Sequence, residues 1–286
     1  MKQIFFYRGE WLSNEPMVSG PLQISFWSGS SVFDGARAIK GALPDIGLHA
    51  QRVVRSAKAM LLNPGLEAKE IESLCRDAAA RLPADRDYYI RPMFYSTGQG
   101  VAPEGNDTEF VLAVFEAPLP DPIAGGACLS SFRRCAVDQG PTNAKAGCLY
   151  PNGQRALLEA RDRGFDLPVL LDPNGNVAEF STANIWIVKD GVAKTPAANG
   201  TFLSGITRRR LIRLLTQDGI PVEEAVLSPE DLATAEEIIV CGNFGKIQAI
   251  DRFEDRMLTP GPVFERARAL YMQFVESERQ VPAAAE

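Results

Sequence analysis

The first apolar run of the chain, Ile4-Phe5-Phe6-Tyr7, stops at Arg8-Gly9 and is followed by Trp11-Leu12, a pattern that predicts an opening hairpin. Residues 29–35 form a loop rich in small side chains. It ends in Val32-Phe33-Asp34-Gly35-Ala36-Arg37-Ala38, where a strand is expected to start. The apolar period then lengthens to that of helices. Val53, Val54, Ala57, Met60 and Leu61 share one broad face over 49–62, and Ile71, Leu74, Cys75, Ala78 and Leu82 repeat the pattern over 67–82. Asn63-Pro64-Gly65 separates the two helices. Strands are predicted at 88–95 and 110–115, on either side of a loop that holds Gly98, Gly100, Pro103 and Gly105. This first part is an α+β domain.

Pro118, Pro120 and Pro122 lead into Gly125-Gly126, and proline stiffness next to glycine turns marks a domain boundary. The chain therefore divides into a smaller domain at 1–117, a linker at 118–126 and a larger domain at 127–286 that contains Lys145. Beyond the linker the pattern predicts a strand at 127–134 and a helix at 152–163 closed by Gly164. A meander follows at 169–171, 177–180, 184–188 and 192–195, with turns at 173–176 and at Asp190-Gly191. A helix at 204–217, a strand at 237–241 and a closing helix at 263–276 complete the pattern, with a frayed tail over 281–286. No internal repeat is visible.

Composition narrows the function. A chain of 286 residues, 45% of them hydrophobic, can fill one large core or two ordinary ones. A net charge of -6, with no basic run longer than Arg208-Arg209-Arg210, argues against nucleic acid or an anionic membrane as partner. Five cysteines, an odd number with no CxxC pair, indicate a reduced, cytoplasmic protein. The N-terminal apolar run is broken by Arg8 and Glu10, so it is neither a signal peptide nor a membrane span, and no later run reaches the length of a span.

Most kinds of catalysis are then excluded by what is missing. His49 is the sole histidine, which leaves no room for a Ser-His-Asp triad that also spends its histidine elsewhere, and there is no metal cluster of His and Cys at ligand spacing; His49 is read as a capping or packing residue. Walker and GxGxxG loops are absent. Lysine chemistry remains, and Lys145 in Thr142-Asn143-Ala144-Lys145-Ala146-Gly147 is its candidate, because small neighbours let a bulky ligand approach the backbone.

Lysine catalysis on amines borrows an electron sink, and pyridoxal phosphate sets definite demands on the protein: a lysine, an acid beside the pyridine nitrogen, and donors for a phosphate. The predicted helix start at Leu203-Ser204-Gly205-Ile206-Thr207 offers free N–H groups and a hydroxyl. Glu179 is a lone acid in an apolar strand, which needs a cationic partner if it points inward. Arg52, expected in the first turn of its helix, could clamp a phosphate. Each feature alone also fits a plain structural role.

Taken in order, Phe33-Asp34-Gly35-Ala36-Arg37, His49-x-x-Arg52, Tyr89-Ile90-Arg91-Pro92, Ala144-Lys145-Ala146-Gly147, Glu179-x-Ser181-x-x-Asn184, Leu203–Arg208 and Ala235-Glu236-Glu237-Ile238 with Gly242 after it resemble the class IV aminotransferases, and within them the branched-chain amino-acid aminotransferases. The resemblance runs from about Phe5 to Phe274. It implies a two-domain fold-type IV α+β architecture, pyridoxal 5′-phosphate as cofactor, a homodimer, and small-molecule amino-acid and 2-oxo-acid substrates. By position it implies Lys145 as the Schiff-base lysine and proton shuttle, Glu179 on the pyridine nitrogen and Tyr150 near the phenolic oxygen. Arg52, Ile206 and Thr207 match the phosphate site, and Phe33, Gly35, Arg37, Tyr89 and Arg91 resemble the substrate pocket, Tyr89 near the α-carboxylate.

Two positions depart from the family. Gly242-Asn243-Phe244 stands where Gly-Thr-Ala is usual, so Asn243 replaces a phosphate donor and Phe244 adds bulk to the turn that holds the substrate carboxylate. Ser28 stands where a tyrosine often reaches into the neighbouring subunit. Transfer from branched-chain L-amino acids to 2-oxoglutarate is the leading expectation. A D-amino-acid or (R)-selective amine transaminase, an aminodeoxychorismate-type lyase and a non-catalytic cofactor-binding protein remain as alternatives.

Overall fold

The computed structural model describes residues 2–279. Two compact units share the chain. Among the described residues, one runs to Leu119 and takes in Ala144–Cys148 and residues 273–279; the other holds Pro120–Asn143 and Leu149–Met272. Both mix helix and strand, the α+β class expected from the pattern.

In the first unit β1 (Gln3–Tyr7) and β2 (Glu10–Leu12) form the predicted hairpin, closed by Arg8 and Gly9 at positive φ. A short helix α1 (Ile24–Trp27), β3 (Ser31–Phe33) and β4 (Ala36–Ile39) follow, then α2 (Ile46–Ala59), α3 (Ala68–Ala80), β5 (Asp87–Ser96) and β6 (Thr108–Glu116). The sheet runs β2-β1-β6-β5-β3, with β4 also paired to β5. Period-2 alternation in β5 buries Tyr88, Ile90 and Phe94 and leaves Tyr89 and Arg91 half-buried on the opposite face. Cross-strand register puts Arg37 and Phe115 beside Tyr89 on that face, and Phe33 beside Met93.

Helix α2 begins at Ile46, three residues before the predicted start, with Asp45 as its N-cap. His49 and Arg52 therefore lie further into the helix than the apolar pattern suggested. His49 is a buried packing residue and does not cap the helix. The shift arises because Ile46 and Ala50 are also buried, an extra apolar turn that the pattern counted from Val53 did not include.

The second unit contains β7 (Gly126–Arg133), α4 (Tyr150–Asp162), β8 (Leu167–Leu171), β9 (Val177–Phe180), β10 (Asn184–Lys189) and β11 (Val192–Pro196). It continues through α5 (Ile206–Gln217), β12 (Val222–Ala225), α6 (Pro229–Thr234), β13 (Glu237–Gly242), β14 (Lys246–Ala249), β15 (Arg252–Phe253) and β16 (Arg256–Met257). Helix α7 (Pro262–Ser277) ends the described chain; the tail predicted over 281–286 lies outside the described residues. Two sheets form, β12-β11-β10-β13-β14 and β16-β15-β7-β8-β9.

The four strands predicted as one meander are divided between these sheets, because the chain changes sheet between β9 and β10. Alternation of apolar residues reports a strand but not which sheet receives it. One core joins both layers: Val169 and Phe180 of one sheet meet Ile185, Ile187 and Ile238 of the other, with Leu232 of α6.

The segment that carries Lys145 departs from the division at 127. It belongs to the first unit, where Ala146 bridges to Val32, the Phe33 N–H donates to the Lys145 carbonyl (3.1 Å), and the Lys145 N–H donates to Ser56 Oγ (3.0 Å). Backbone hydrogen bonds to β3 and to a helix serine outweigh sequence proximity to β7. Replacing the fully buried Ile187 with Ala is expected to destabilise the second unit by about 2–5 kcal/mol through lost burial and a residual cavity. Denaturant unfolding followed by circular dichroism measures it.

Candidate active site

Lys145 is half-buried between Ala144 and Ala146, both fully buried, and its Nζ lies 5.0 Å from the centroid of the Phe33 ring. The small-residue frame has a steric cause. A Cβ on Gly147 would stand 2.9 Å from Ser31 Oγ, so glycine there lets the segment lie against β3. The amine is thereby held over an aromatic face by main-chain bonds on either side of it.

On the same face of the sheet, the Tyr89 ring is flanked by two guanidinium groups, Arg37 at 5.9 Å and Arg91 at 5.3 Å. Gly35 makes room for this arrangement, since a Cβ there would fall 1.9 Å from Tyr89 Oη. The two arginines differ in what they can do. Arg37 is 0% exposed and donates from Nη1 to the Ala117 carbonyl (2.6 Å), a bracing role. Arg91 is more open, stacks also on Phe115 at 5.3 Å, and has a buried Nε–H that meets no acceptor. A carboxylate would satisfy it.

Beneath this face Asp34, with no exposed surface, takes three side-chain hydrogen bonds. Arg52 donates from Nε (2.6 Å) and Nη2 (2.8 Å), and His49 Nδ1 lies 2.7 Å from Oδ1. A carboxylate only accepts, so Nδ1 carries the proton. Burial alone would raise the Asp34 pKa, but the charges and hydrogen bonds of Arg52 and His49 prevail and hold the carboxyl well below the usual carboxylate range. The effect on Arg52 is geometric: a bidentate pair fixes the plane of its guanidinium.

In the second unit, α5 starts at Gly205 with no side-chain cap, so its first-turn N–H groups, including those of the buried Ile206 and Thr207, are not taken by one. A Cβ on Gly205 would stand 2.0 Å from Asn184 Oδ1; glycine allows the strand end and the helix start to meet. Arg208, one residue further, is turned inward onto Thr195 Oγ1, the Pro196 carbonyl and Glu224, and so braces the helix rather than facing a ligand.

Glu179 is buried on β9, where Asn184 Nδ2 donates to its Oε2 (3.2 Å) and Arg134 Nε lies 3.4 Å from its Oε1. Tyr150 opens α4 half-buried. The turn between β13 and β14 sets Asn243 with its Nδ2 buried and without an acceptor, and leaves Phe244 60% exposed. A cavity of about 370 Å³ lies beside this turn, lined by Ile123, Leu167, Thr182, Ala183 and Phe244.

The sequence profile for amino-transferase class IV matches residues 31–253, most of the chain. The chain belongs to the class IV aminotransferase family. Class IV aminotransferases of known structure share its fold: the crystal structure of an aminotransferase from Brucella abortus bound to PLP superposes with a TM-score of 0.94 at 41% identity, covering 96% of this chain and 100% of that one. A branched-chain aminotransferase from Thermoproteus uzoniensis, solved with norvaline, superposes at 0.88 with 29% identity over 96% and 95% of the two chains. The branched-chain-amino-acid aminotransferase of Escherichia coli K12 is 31% identical over 290 residues, 96% of this chain and 94% of its own length.

Within the first unit the structure brings Lys145 and Phe33 together, and likewise Gly35, Arg37, Tyr89 and Arg91. Within the second it places Glu179 near the residues that lead into Ile206 and Thr207. Sequence reasoning did not assign Asp34, Arg134, Asn184 and Lys246. Asp34 and Asn184 lie inside the quoted motifs, but Arg134 and Lys246 carried no signal, because nothing in a strand pattern says which cation turns inward. Among the described residues no three His, Cys, Asp or Glu side chains are grouped to hold a metal, and no helix is long and apolar enough to cross a membrane.

Asp34→Asn leaves Arg52 without its counter-charge and is expected to destabilise the protein by about 3 kcal/mol at neutral pH. Because the native pKa is depressed, wild-type stability from this group is complete above the ordinary carboxylate pKa of about 4 and falls below it. Unfolding midpoints of the two proteins should stay a constant distance apart down to that pH and then converge.

Proposed function

We propose that this chain is a pyridoxal 5′-phosphate-dependent aminotransferase that transfers the amino group of branched-chain L-amino acids to 2-oxoglutarate in two half-reactions. The observation that carries it is the half-buried Lys145 amine, pinned by main-chain bonds to β3 and α2 and facing the Phe33 ring on a sheet face that also bears Arg91. The names of the relatives support the substrate class.

The residues fit the cofactor on three counts. The α5 N-terminus has N–H groups and the Thr207 hydroxyl for a phosphate, with no side-chain cap in the way. Asn243 has a buried N–H without an acceptor. Glu179 is a buried acid held in one orientation by Asn184 and Arg134. Bound there, the cofactor supplies an electron sink for charge that develops at the substrate Cα.

The protein's share is binding, orientation and proton transfer. Lys145 would hold the cofactor, and its Nζ would carry the proton that leaves and returns at the substrate Cα. Glu179 keeps the pyridine nitrogen protonated. Tyr150 donates near the phenolic oxygen, and Arg52, Ile206, Thr207 and Asn243 bind the phosphate. Arg91 receives a substrate carboxylate and Tyr89 orients it, while Phe33 and Phe244 bound the side-chain space; Gly35 and Arg37 keep Tyr89 in place. A homodimer in the cytoplasm completes the proposal.

A second reading, a D-amino-acid or (R)-amine transaminase, draws on Phe244, whose exposed ring alters the turn expected to hold the α-carboxylate. Lys145→Ala should lower donor consumption by at least about 10²–10⁴-fold, the contribution of a positioned proton-transfer group. Bleaching of the visible cofactor band by L-leucine, and its return with 2-oxoglutarate, measures the reaction in wild type. Bleaching by D-alanine alone would select the second reading, and bleaching by no amino donor would overturn both.

A further inference from the structure

The turn between β13 and β14 rests on a buried lysine that the mechanism above does not use. Lys246 is almost fully buried, its Nζ lies 5.6 Å from the centroid of the Tyr271 ring, and it donates to Asn243 Oδ1 at 2.5 Å. Its backbone sits at φ 61 and pairs with Gly242, so the three residues 243–245 form a short hairpin loop closed by a left-handed residue. That conformation returns the lysine side chain beneath the loop it closes.

The chemistry of the pair decides how the amide points. An ammonium group only donates, so the Asn243 atom facing it must be the oxygen. The nitrogen is then the other end, and it is the buried Nδ2 that meets no acceptor among the described residues. A buried N–H with no acceptor is costly unless a ligand supplies one. The fixed positive charge of Lys246 behind the amide favours an anionic acceptor over a neutral one.

We infer that Lys246 is a positioning residue for an anion site at Asn243: it locks the side-chain amide with Oδ1 on the lysine, which leaves Nδ2 to donate, and adds positive charge beside it, for a phosphate or carboxylate oxygen. The inference rests on the proposed function only for the identity of the anion, cofactor phosphate or substrate carboxylate. The lysine acts through Asn243 and need not touch either one. It also accounts for the departure at this turn, because an amide free to flip would present its oxygen to the anion half of the time, whereas one held by Lys246 does not.

The test uses the full-length protein with Lys246→Met, which keeps the apolar stem, together with Asn243→Thr and the double variant. Three readouts are taken: the rise in unfolding midpoint with inorganic phosphate, the rate of pyridoxal phosphate loss on dilution, and KM against kcat for the amino donor. Lys246→Met should weaken anion binding by about tenfold, the order of one hydrogen bond to a charged group. A faster cofactor loss assigns the site to phosphate; a raised donor KM at saturating cofactor, with kcat kept, assigns it to carboxylate.

In the Asn243→Thr background, where a hydroxyl needs no orienting partner, Lys246→Met should have a clearly smaller effect, the part due to the charge alone. An equal effect in both backgrounds would mean that the lysine is merely structural and would overturn the inference, as would unchanged binding in the single variant. Should Lys246→Met fail to fold, Asn243→Asp decides: it keeps an acceptor for the lysine but removes the donor, and wild-type anion binding there would refute the inference. Phosphate stabilisation that depends on Lys246 in a protein that never takes up pyridoxal phosphate would sink the proposed function and leave the anion site standing.

Discussion

A carboxylate with no exposed surface governs the first unit. Asp34 sits in the bend between β3 and β4, and to remain ionised there it must gather cations and donors: Arg52, His49 and the Gly35 N–H at 2.7 Å. These contacts lock the bend against α2. Phe33 immediately before it, and Gly35 and Arg37 just after it, are thereby set in register with the helix. His49, Arg52 and Ser56 lie three and four residues apart, so they lie along one side of α2. The first two hold Asp34 and the third holds the Lys145 backbone. One helix face thus sets the position of the candidate catalytic lysine relative to the candidate phosphate clamp.

The second unit solves a related problem with buried cations. Arg134 stands by Glu179, Arg208 ties α5 to β11 and β12, and Lys246 holds the Asn243 amide. Each sits behind a group with a proposed role rather than in front of it. Such bracing orients dipoles before a ligand arrives, which is how a protein stabilises charge without reorganising during a reaction. It also explains why Gly205 is required beside Asn184: a Cβ there would strike the amide that donates to both the Leu203 carbonyl and Glu179.

Most of the elements were legible in the sequence, because they are amphipathic and of ordinary length. Strands β5 and β6 and helices α3 to α5 fall within a few residues of their apolar patterns. The failures share a physical cause. The start of α2, the division of β8 to β11 between two sheets, and the attachment of Ala144–Cys148 to the first unit are all decided by tertiary hydrogen bonds that leave no local period. The short α1 and α6, and the two-residue strands β15 and β16, are too brief to show one. The site followed the same rule. Lys145, Glu179 and Arg52 stood out as charges in unusual settings, while Asp34 and Lys246 needed the structure to reveal burial.

Burial also separates residues that the sequence treated alike. Arg37 and Arg91 flank the same tyrosine ring, and either could have been the carboxylate receptor. Arg37 is fully buried, and burial pulls its guanidinium pKa down, although Asp87 and Tyr89 oppose the shift. Arg91 is only half-buried and stacks on both Tyr89 and Phe115, so it is the more accessible guanidinium of the two. That difference in burial supports the proposed roles, Arg37 as scaffold and Arg91 as carboxylate receptor.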